Sequence, residues 1–296
     1  MAQPKLKWQS KLILMLVLPA VTADVVLETH WWIVQANPVA IWTIGLSVLL
    51  GMVAFKLRSA TLGAAFAGAA ITASLMFSSV TFPYLPWQTA LVPVLALLVL
   101  TSIATRQGLK RKQYLGTAES PKGRAASQVA ANLGAAALLS NGVVQSRLID
   151  THWFTENNQT LMPILAIALA ALAEAAADTV SSELGQVLSR RPRMITTLRM
   201  VEVGTDGAIS VYGTLAGVMA ACIVAAVGSL ALGGGMTMLA VSWLAAIFGL
   251  LFDSLLGATL ERRGWINNDA VNFLSTLSAA MFALGLLVLV AHLGIG

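Results

Sequence analysis

The stretch LVPVLALLVLTSIA, residues 91–104, decides the class of fold. A helix of this sequence is apolar on every side, whereas a strand of a transmembrane β-barrel would alternate apolar and polar residues. Similar runs recur along the 296 residues, which are 57% hydrophobic and 10% charged. Soluble domains carry about 25% charged residues. The sequence therefore rules out a water-soluble fold and a β-barrel, and it predicts an all-α, polytopic transmembrane helical bundle.

Proline, glycine and charged residues divide the chain into about nine candidate spans, each near the roughly 20 residues that cross a bilayer. The predicted spans are residues 11–28, 38–55, 60–80, 87–105, 125–145, 161–188, 208–230, 236–256 and 271–294. We interpret residues 1–296 as a single integral membrane domain. Residues 1–105 form its four N-terminal spans, residues 106–124 a basic cytoplasmic loop, and residues 125–296 the five spans that carry the predicted site.

The basic residues predict the orientation, because short cytoplasmic loops collect Lys and Arg. With the N-terminus in the cytoplasm and the C-terminus outside, only Arg147 of the 18 Lys and Arg residues falls on the outer side. The first span also resembles a secretory signal peptide, with small residues at 19–23 for cleavage. The first crossing is needed to keep the later basic loops on the cytoplasmic side, so we favour an uncleaved helix. We expect the protein in a prokaryotic plasma (inner) membrane.

Several common site chemistries are excluded. The one cysteine, Cys222, lies in an apolar run, and the three histidines are far apart, so neither a thiolate nor a histidine metal cluster is expected. The sequence has no G-x-x-x-x-G-K-[ST] or G-x-G-x-x-G motif, which excludes the commonest nucleotide-binding loops.

Three carboxylates interrupt the sixth span, LAEAAADTVSSELGQVL at residues 172–188. Acids within a span are costly and mark functional sites by default. Asp178 lies ten residues before Leu188, and therefore about 15 Å from the end of the helix. It needs a partner, for which the alternatives to a functional role are a buried arginine or a proton. The same alternatives apply to Glu174 and Glu183.

Two basic and glycine-rich segments flank this span in the predicted cytoplasmic loops. Lys122 and Arg124 immediately precede the helix AASQVAANLGAAA, whose N-terminus would attract a phosphate together with them. Residues 204–207, Gly-Thr-Asp-Gly, let the backbone approach a ligand closely, although Asp206 is also suited to cap the next helix. The basic residues 110–112 are interpreted as a topology signal that attracts anionic lipids.

A third polar segment follows the eighth span. Asp253 lies within the apolar run, and Asn268, Asp269 and Asn272 follow near the inner surface. Carboxylate and amide oxygens suit Mg²⁺, which usually combines one or two carboxylates with phosphates and water. Lys and Arg would neutralise transferring phosphates. The pattern therefore indicates phosphate transfer on a lipid held in the bilayer.

Four ordered segments resemble the integral membrane family of transmembrane protein 19 and the plant chloroplast phytyl-phosphate kinase of vitamin E synthesis. They are KGRAASQVAANLG (122–134), ADTVSSELG (177–185), PRMITTLRMVEVGTDGAISVYGTLAG (192–217) and GLLFDSLLGATLERRGWINNDAVNFLST (249–276). The resemblance implies phosphorylation of an isoprenyl monophosphate to its diphosphate, with CTP as donor and Mg²⁺ required. Glu174 and residues 110–112 lie outside the matching segments and are left out of the predicted site.

The residue roles follow from the chemistry above. Asp178, Asp206 and Asp253 are the predicted catalytic residues. The predicted metal ligands are Asp178, Glu183, Asp206, Asp253, Asn268 and Asp269. The predicted phosphate-binding residues are Lys122, Arg124, Asn132, Arg193 and Arg199.

Two other functions remain open from the sequence. An ion or lipid transporter or flippase would use the intramembrane acids Glu174, Asp178 and Asp253 as a path. The outer half of the spans is almost without acids apart from Asp24, and this asymmetry favours an interfacial enzyme. A CTP-dependent cytidylyltransferase acting on a lipid phosphate would use the same metal and phosphate ligands.

Overall fold

The computed structural model describes residues 7–142 and 161–293, which contain ten α-helices. The helices are α1 (Lys7–Val34), α2 (Val39–Lys56), α3 (Leu62–Phe77), α4 (Leu91–Arg106), α5 (Leu109–Leu115), α6 (Ala126–Ser140), α7 (Leu161–Leu188), α8 (Val211–Leu232), α9 (Gly235–Leu256) and α10 (Asn268–His292). A 3₁₀ turn (Pro86–Gln88) precedes α4, and a π-helical segment (Gly257–Glu261) continues α9. Strands β1 (Arg193–Met194) and β2 (Ala208–Ile209) form a small antiparallel ladder between α7 and α8. The predicted helical fold is confirmed.

The described helices make this a polytopic membrane protein, but their lengths differ. Six are long and apolar enough to cross a bilayer: α1, α2, α7, α8, α9 with its π-helical continuation, and α10. Helices α4 and α5 would make a seventh span if they are counted together, with a bend of 67° between them. Helix α3 has 16 residues and α6 has 15, less than the usual span. The count of nine spans stays a prediction.

Helix α7 is the centre of the bundle. In the span that it forms, 89% of the most apolar window is buried, against 44% or less in the other five spans. Helices α4, α6, α8, α9 and α10 all pack against it. Its alanines and the glycines of α8 allow close approach: a Cβ added at Gly217 would lie 2.7 Å from the carbonyl oxygen of Ala177. A helix surrounded in this way places its polar side chains inside protein rather than in lipid.

The connections rich in Lys and Arg meet at one end of the bundle. We call this the basic end, and it comprises the start of α1 and residues 57–61, 107–125, 189–210 and 257–267. The Thr61 amide donates to the carbonyl of Arg124 at 3.0 Å. Arg111 donates to the carbonyls of Val187 and Ser189 at 2.7 and 3.0 Å, which satisfies the C-terminus of α7.

Every Lys and Arg in the described residues belongs to this end, or to the last residue of the helix that leads into it, as Lys56 of α2 and Arg106 of α4 do. Arg147, the predicted exception, lies outside the described residues, as does Lys5. The grouping agrees with the predicted loops, while the side of the membrane on which they lie stays a prediction.

Candidate functional site

A cavity of about 330 Å³ opens at the basic end, between α6, α7, α9, α10 and the loop before β2. Six carboxylic side chains line it, and Arg124 is its one cationic side chain among the described residues. The six are Glu119, Asp178, Glu183, Asp206, Asp253 and Glu261. We call this space the acidic cavity. Such an excess of carboxylates next to a membrane requires protons or cations to balance it.

Asp178 of α7 and Asp253 of α9 form the centre of the acidic cavity. Their carboxyl groups lie within hydrogen-bonding range of each other, and the charge of Arg124 acts on Asp178. Arg124 Nη2 also donates to the hydroxyl of Thr179, at 3.4 Å. Asp253 Oδ1 is buried without a hydrogen-bond partner. Two facing carboxylates with an unpartnered oxygen are a suitable place for a proton or a metal cation to bind.

Glu174 lies one helical turn deeper than Asp178 and does not line the acidic cavity. It is 0% exposed, and neither of its carboxyl oxygens has a hydrogen-bond partner. The nearby Ser275 hydroxyl donates instead to the carbonyl of Asn272 at 3.0 Å. Gly249 makes room for Glu174, because a Cβ there would come within 2.5 Å of the Glu174 Cγ.

Amide side chains of α6 and α10 also line the acidic cavity. Asn272 Nδ2 donates to Asn132 Oδ1 at 3.1 Å, and Asn132 Nδ2 donates to the carbonyl of Gln128 at 2.9 Å. Both asparagines are buried, and both line the cavity. The bond between the two asparagines joins α6 to α10 in the lining of the cavity, while the bond to Gln128 holds Asn132 on its own helix.

Glu183 has a cationic partner that the sequence did not reveal. Lys112 of α5 is fully buried, and its Nζ lies 2.6 Å from Glu183 Oε2. The same ammonium donates to the carbonyls of Ala104 and Thr105 at 3.1 and 2.6 Å. Lys112 was interpreted as a topology signal, but in the structure it holds Glu183 and the end of α4. Glu183 is therefore the one lining carboxylate with an ion pair in the described residues.

The loop before β2 covers the acidic cavity and brings Asp206 to it. Gly204 and Gly207 have φ angles of 88° and 74°, a conformation that favours glycine. A Cβ at Gly207 would lie 2.2 Å from the amide nitrogen of Ala258, so this loop rests directly on the π-helical segment. Asp206 does not cap α8, since Ser210 accepts the hydrogen bond from the Gly213 amide at 3.1 Å.

The π-helical segment places Glu261 in the acidic cavity, close enough for the charges of Asp206 and Asp178 to act on it. Segments of this kind are frequent at functional sites. Glu261 was missed, although it follows Asp253 by eight residues, a little over two helical turns. Glu119 was also missed. It comes from an irregular loop in which no periodicity marks a lining residue.

The structure brings together most of the predicted residues. Those that line the acidic cavity are Arg124, Asn132, Asp178, Glu183, Asp206, Asp253 and Asn268. The remaining four, Lys122, Arg193, Arg199 and Asp269, do not line it. Lys122 and Arg199 are exposed on loops, Arg193 is exposed on strand β1, and Asp269 is buried in the first turn of α10. The functional roles assigned to all of these residues stay predictions.

The donor set allows a metal ion that takes few protein ligands. In the described residues, no group of three or more Asp, Glu, His or Cys side chains is arranged to hold a metal by itself. Mg²⁺ commonly binds through one or two carboxylates and completes its octahedron with water and phosphate oxygens. The facing pair of Asp178 and Asp253 fits this mode.

Comparison with known proteins identifies the family. Residues 45–280 match the family described as "Integral membrane protein DUF92". The chain belongs to this family. The resemblance drawn from the four sequence segments is thereby confirmed.

Relatives come from archaea, cyanobacteria and plants. An uncharacterized membrane protein of Methanocaldococcus jannaschii is 45% identical over 37% of this chain and 45% of its own length. One from Synechocystis is 34% identical over 68% of this chain and 75% of its own length. The Arabidopsis thaliana protein named "Protein VTE6, chloroplastic" is 30% identical over 64% of this chain.

The chain spans 45% of the archaeal relative and 56% of the Arabidopsis one. No solved structure matches.

The buried ion pair gives the first prediction. Lys112→Met leaves Glu183 without its cation, which costs roughly 3 to 5 kcal/mol for a buried pair. We expect a clearly lower unfolding temperature in detergent, measured by intrinsic fluorescence. The double variant Lys112→Met/Glu183→Met should recover part of the loss, because no unpaired charge remains. The control is Lys110→Met, which removes an exposed cation from the same helix. Equal stability of the Lys112 and Lys110 variants would contradict the role of the pair.

Proposed function

We propose that this protein is a membrane-embedded isoprenyl-phosphate kinase. It transfers a phosphoryl group from a nucleoside triphosphate to an isoprenyl monophosphate such as phytyl phosphate. The expected donor is CTP. The observation that carries the proposal is the acidic cavity, with six carboxylates and one arginine at the end of a membrane bundle. These carboxylates repel a bare phosphate, but they attract a phosphate that arrives with Mg²⁺.

Asp178 and Asp253 are the residues that would hold Mg²⁺. When bound, the ion supplies positive charge to the phosphates and neutralises the charge that develops on transfer. Arg124 lines the same cavity, its charge acts on Asp178, and it would contact a phosphate bound there. The amides of Asn132, Asn268 and Asn272 offer neutral hydrogen bonds to phosphate or ribose oxygens.

The reaction needs positioning more than acid–base catalysis. An oxygen of the lipid monophosphate attacks the γ-phosphorus of the triphosphate, and the bond from that phosphorus to the β,γ-bridging oxygen breaks. The products are a lipid diphosphate and a nucleoside diphosphate, which leaves with the bridging oxygen. A monophosphate oxygen is already nucleophilic near neutral pH, so no general base is required.

The family supports the choice of substrate class. The family that the four sequence segments resemble includes the plant phytyl-phosphate kinase. The Arabidopsis relative named "Protein VTE6, chloroplastic" is 30% identical to this chain over the matched residues. The partial coverage of that relative leaves the identity of the lipid, the donor and the metal as parts of the proposal.

The decisive test is an assay of the purified protein in detergent with radiolabelled geranylgeranyl or phytyl monophosphate, Mg²⁺ and each of the four ribonucleoside triphosphates. We expect a lipid diphosphate, with CTP as the best donor. A nucleotidyl lipid would instead indicate cytidylyl transfer. No product with any donor would contradict the kinase, and flux of ions or lipid in liposomes would then test transport.

The facing carboxyls give the second prediction. Asp178→Asn and Asp253→Asn should each lower kcat by at least a hundredfold, because each removes an anionic ligand from the proposed metal. Glu202→Gln is the matched control: Glu202 is exposed near the loop over the cavity and does not line it. We expect wild-type turnover from the control and unchanged gel-filtration profiles from all three. Wild-type turnover in both aspartate variants would exclude the proposed pair.

We also propose nine spans, with the N-terminus in the cytoplasm, the C-terminus outside and the basic end inside a prokaryotic plasma membrane. In a Cys222→Ala background, Gln35→Cys lies between α1 and α2, and Ser120→Cys lies between α5 and α6, both at exposed positions. An impermeant maleimide should label the first in intact cells and the second only after lysis. The reverse pattern would invert the orientation.

A further inference from the structure

Arg124 lies where three cavities meet. Besides the acidic cavity, it lines an apolar groove of about 80 Å³ and a third cavity of about 220 Å³. The apolar groove also shares Asn132 with the acidic cavity. The three spaces are thus neighbours around one guanidinium group. A single ligand with apolar and anionic parts would be able to occupy them together.

The apolar groove runs between α2, α3, α4 and α6 and is lined mainly by aliphatic and small side chains. Ala60, Ala64 and Gly68 of the α3 region leave the space open. Gly68 has room to spare, since a Cβ there would meet only Val129 Cγ1, at 3.8 Å. A groove of about 80 Å³ suits one hydrocarbon chain better than the two chains of a common phospholipid.

The third cavity has the opposite charge to the acidic one, and we call it the basic cavity. Arg58, Arg106 and Arg124 line it, against Glu119 as the one acid among its lining residues. Hydroxyl groups accompany the arginines, including those of Ser59 and Ser102, which lie 3.3 Å apart. Guanidinium groups bind phosphate with paired hydrogen bonds, and hydroxyls add donors.

We propose that the basic cavity and the apolar groove together bind a lipid monophosphate with a single hydrocarbon chain. This inference rests on the proposed kinase function and locates its acceptor substrate. The phosphate lies among Arg58, Arg106 and Arg124, and the chain extends into the groove past Gly68. Arg124 then separates the lipid phosphate from the acidic cavity, where the nucleotide and Mg²⁺ bind. Opposite charges thus sort the two phosphate-bearing substrates into adjoining spaces.

The groove is tested by filling it. Gly68→Leu adds a side chain that extends into the groove, and we expect it to weaken binding of radiolabelled geranylgeranyl monophosphate about tenfold. A loss of that size corresponds to roughly two methylenes that are no longer buried. Gly45→Leu is the matched control, because its Cβ meets nothing within 4 Å on an exposed face of α2. Equal weakening by both variants, or by neither, would overturn the groove assignment.

The basic cavity is tested by charge. Arg106→Gln keeps an amide donor for the Leu57 carbonyl, which the arginine bonds at 2.7 Å, but removes the cation. We expect it to weaken binding of geranylgeranyl monophosphate at least fivefold and to leave geranylgeraniol binding unchanged. Loss of both ligands alike would indicate a structural role and overturn the assignment. Inorganic phosphate should compete only weakly with the lipid. Competition as strong as that of the unlabelled lipid would make this a free-phosphate site.

These binding measurements separate the two proposals. If the lipid monophosphate binds as expected but no donor yields a lipid diphosphate, the lipid site stands and the kinase fails. If the kinase is active but Gly68→Leu has the wild-type KM for the twenty-carbon substrate, the kinase stands and the groove assignment fails.

Discussion

The neutralisation of carboxylates at membrane depth is the constraint on which the site depends. Asp178 and Asp253 face each other from two helices, and one buried oxygen of Asp253 has no hydrogen-bond partner. Arg124 is the one cationic side chain that lines their cavity among the described residues. Hydrocarbon does not solvate charged carboxylates, so a protein group, a bound proton or a metal ion has to neutralise them. Glu183 is neutralised by its ion pair with Lys112. The facing pair has no such ion pair among the described residues, and for this reason we propose it, rather than Glu183, as the metal site.

Small residues allow the helices to pack closely around these carboxylates. The alanines of α7 and the glycines of α8 bring backbones together, so that α7 is enclosed by protein along most of its length. Gly249 leaves space for Glu174, and Gly207 lets the loop before β2 rest on the π-helical segment. A larger residue at either position would displace an acid or the cover of the cavity. Tight packing of this kind holds charged groups in place without long, flexible connections.

The features that could be predicted from the sequence are those that depend on hydrophobic patterning and on the cost of burying charge. Apolar runs located the helices, and Asp178 and Asp253 stood out because acids within such runs are costly. The family followed from four ordered segments. Lys112 could not be found in this way, since a lysine that folds back into the bundle has the same sequence signal as one in a basic loop. Lys122, Arg193 and Arg199 were expected near phosphate, but all three are exposed outside the cavity, because the turns and the short strand β1 that carry them are positioned by long-range contacts. Shorter helices such as α3 and α6 likewise leave the count of nine spans as a prediction.

If the proposed site is correct, the acidic cavity binds phosphates only together with a divalent cation. Calorimetric titration of the purified protein with a non-hydrolysable CTP analogue, once with Mg²⁺ and once with EDTA, measures this dependence. We predict saturable binding with Mg²⁺ and none that is measurable in EDTA, because six carboxylates and one arginine repel the free nucleotide. Equal affinity under both conditions would contradict a cation-dependent site.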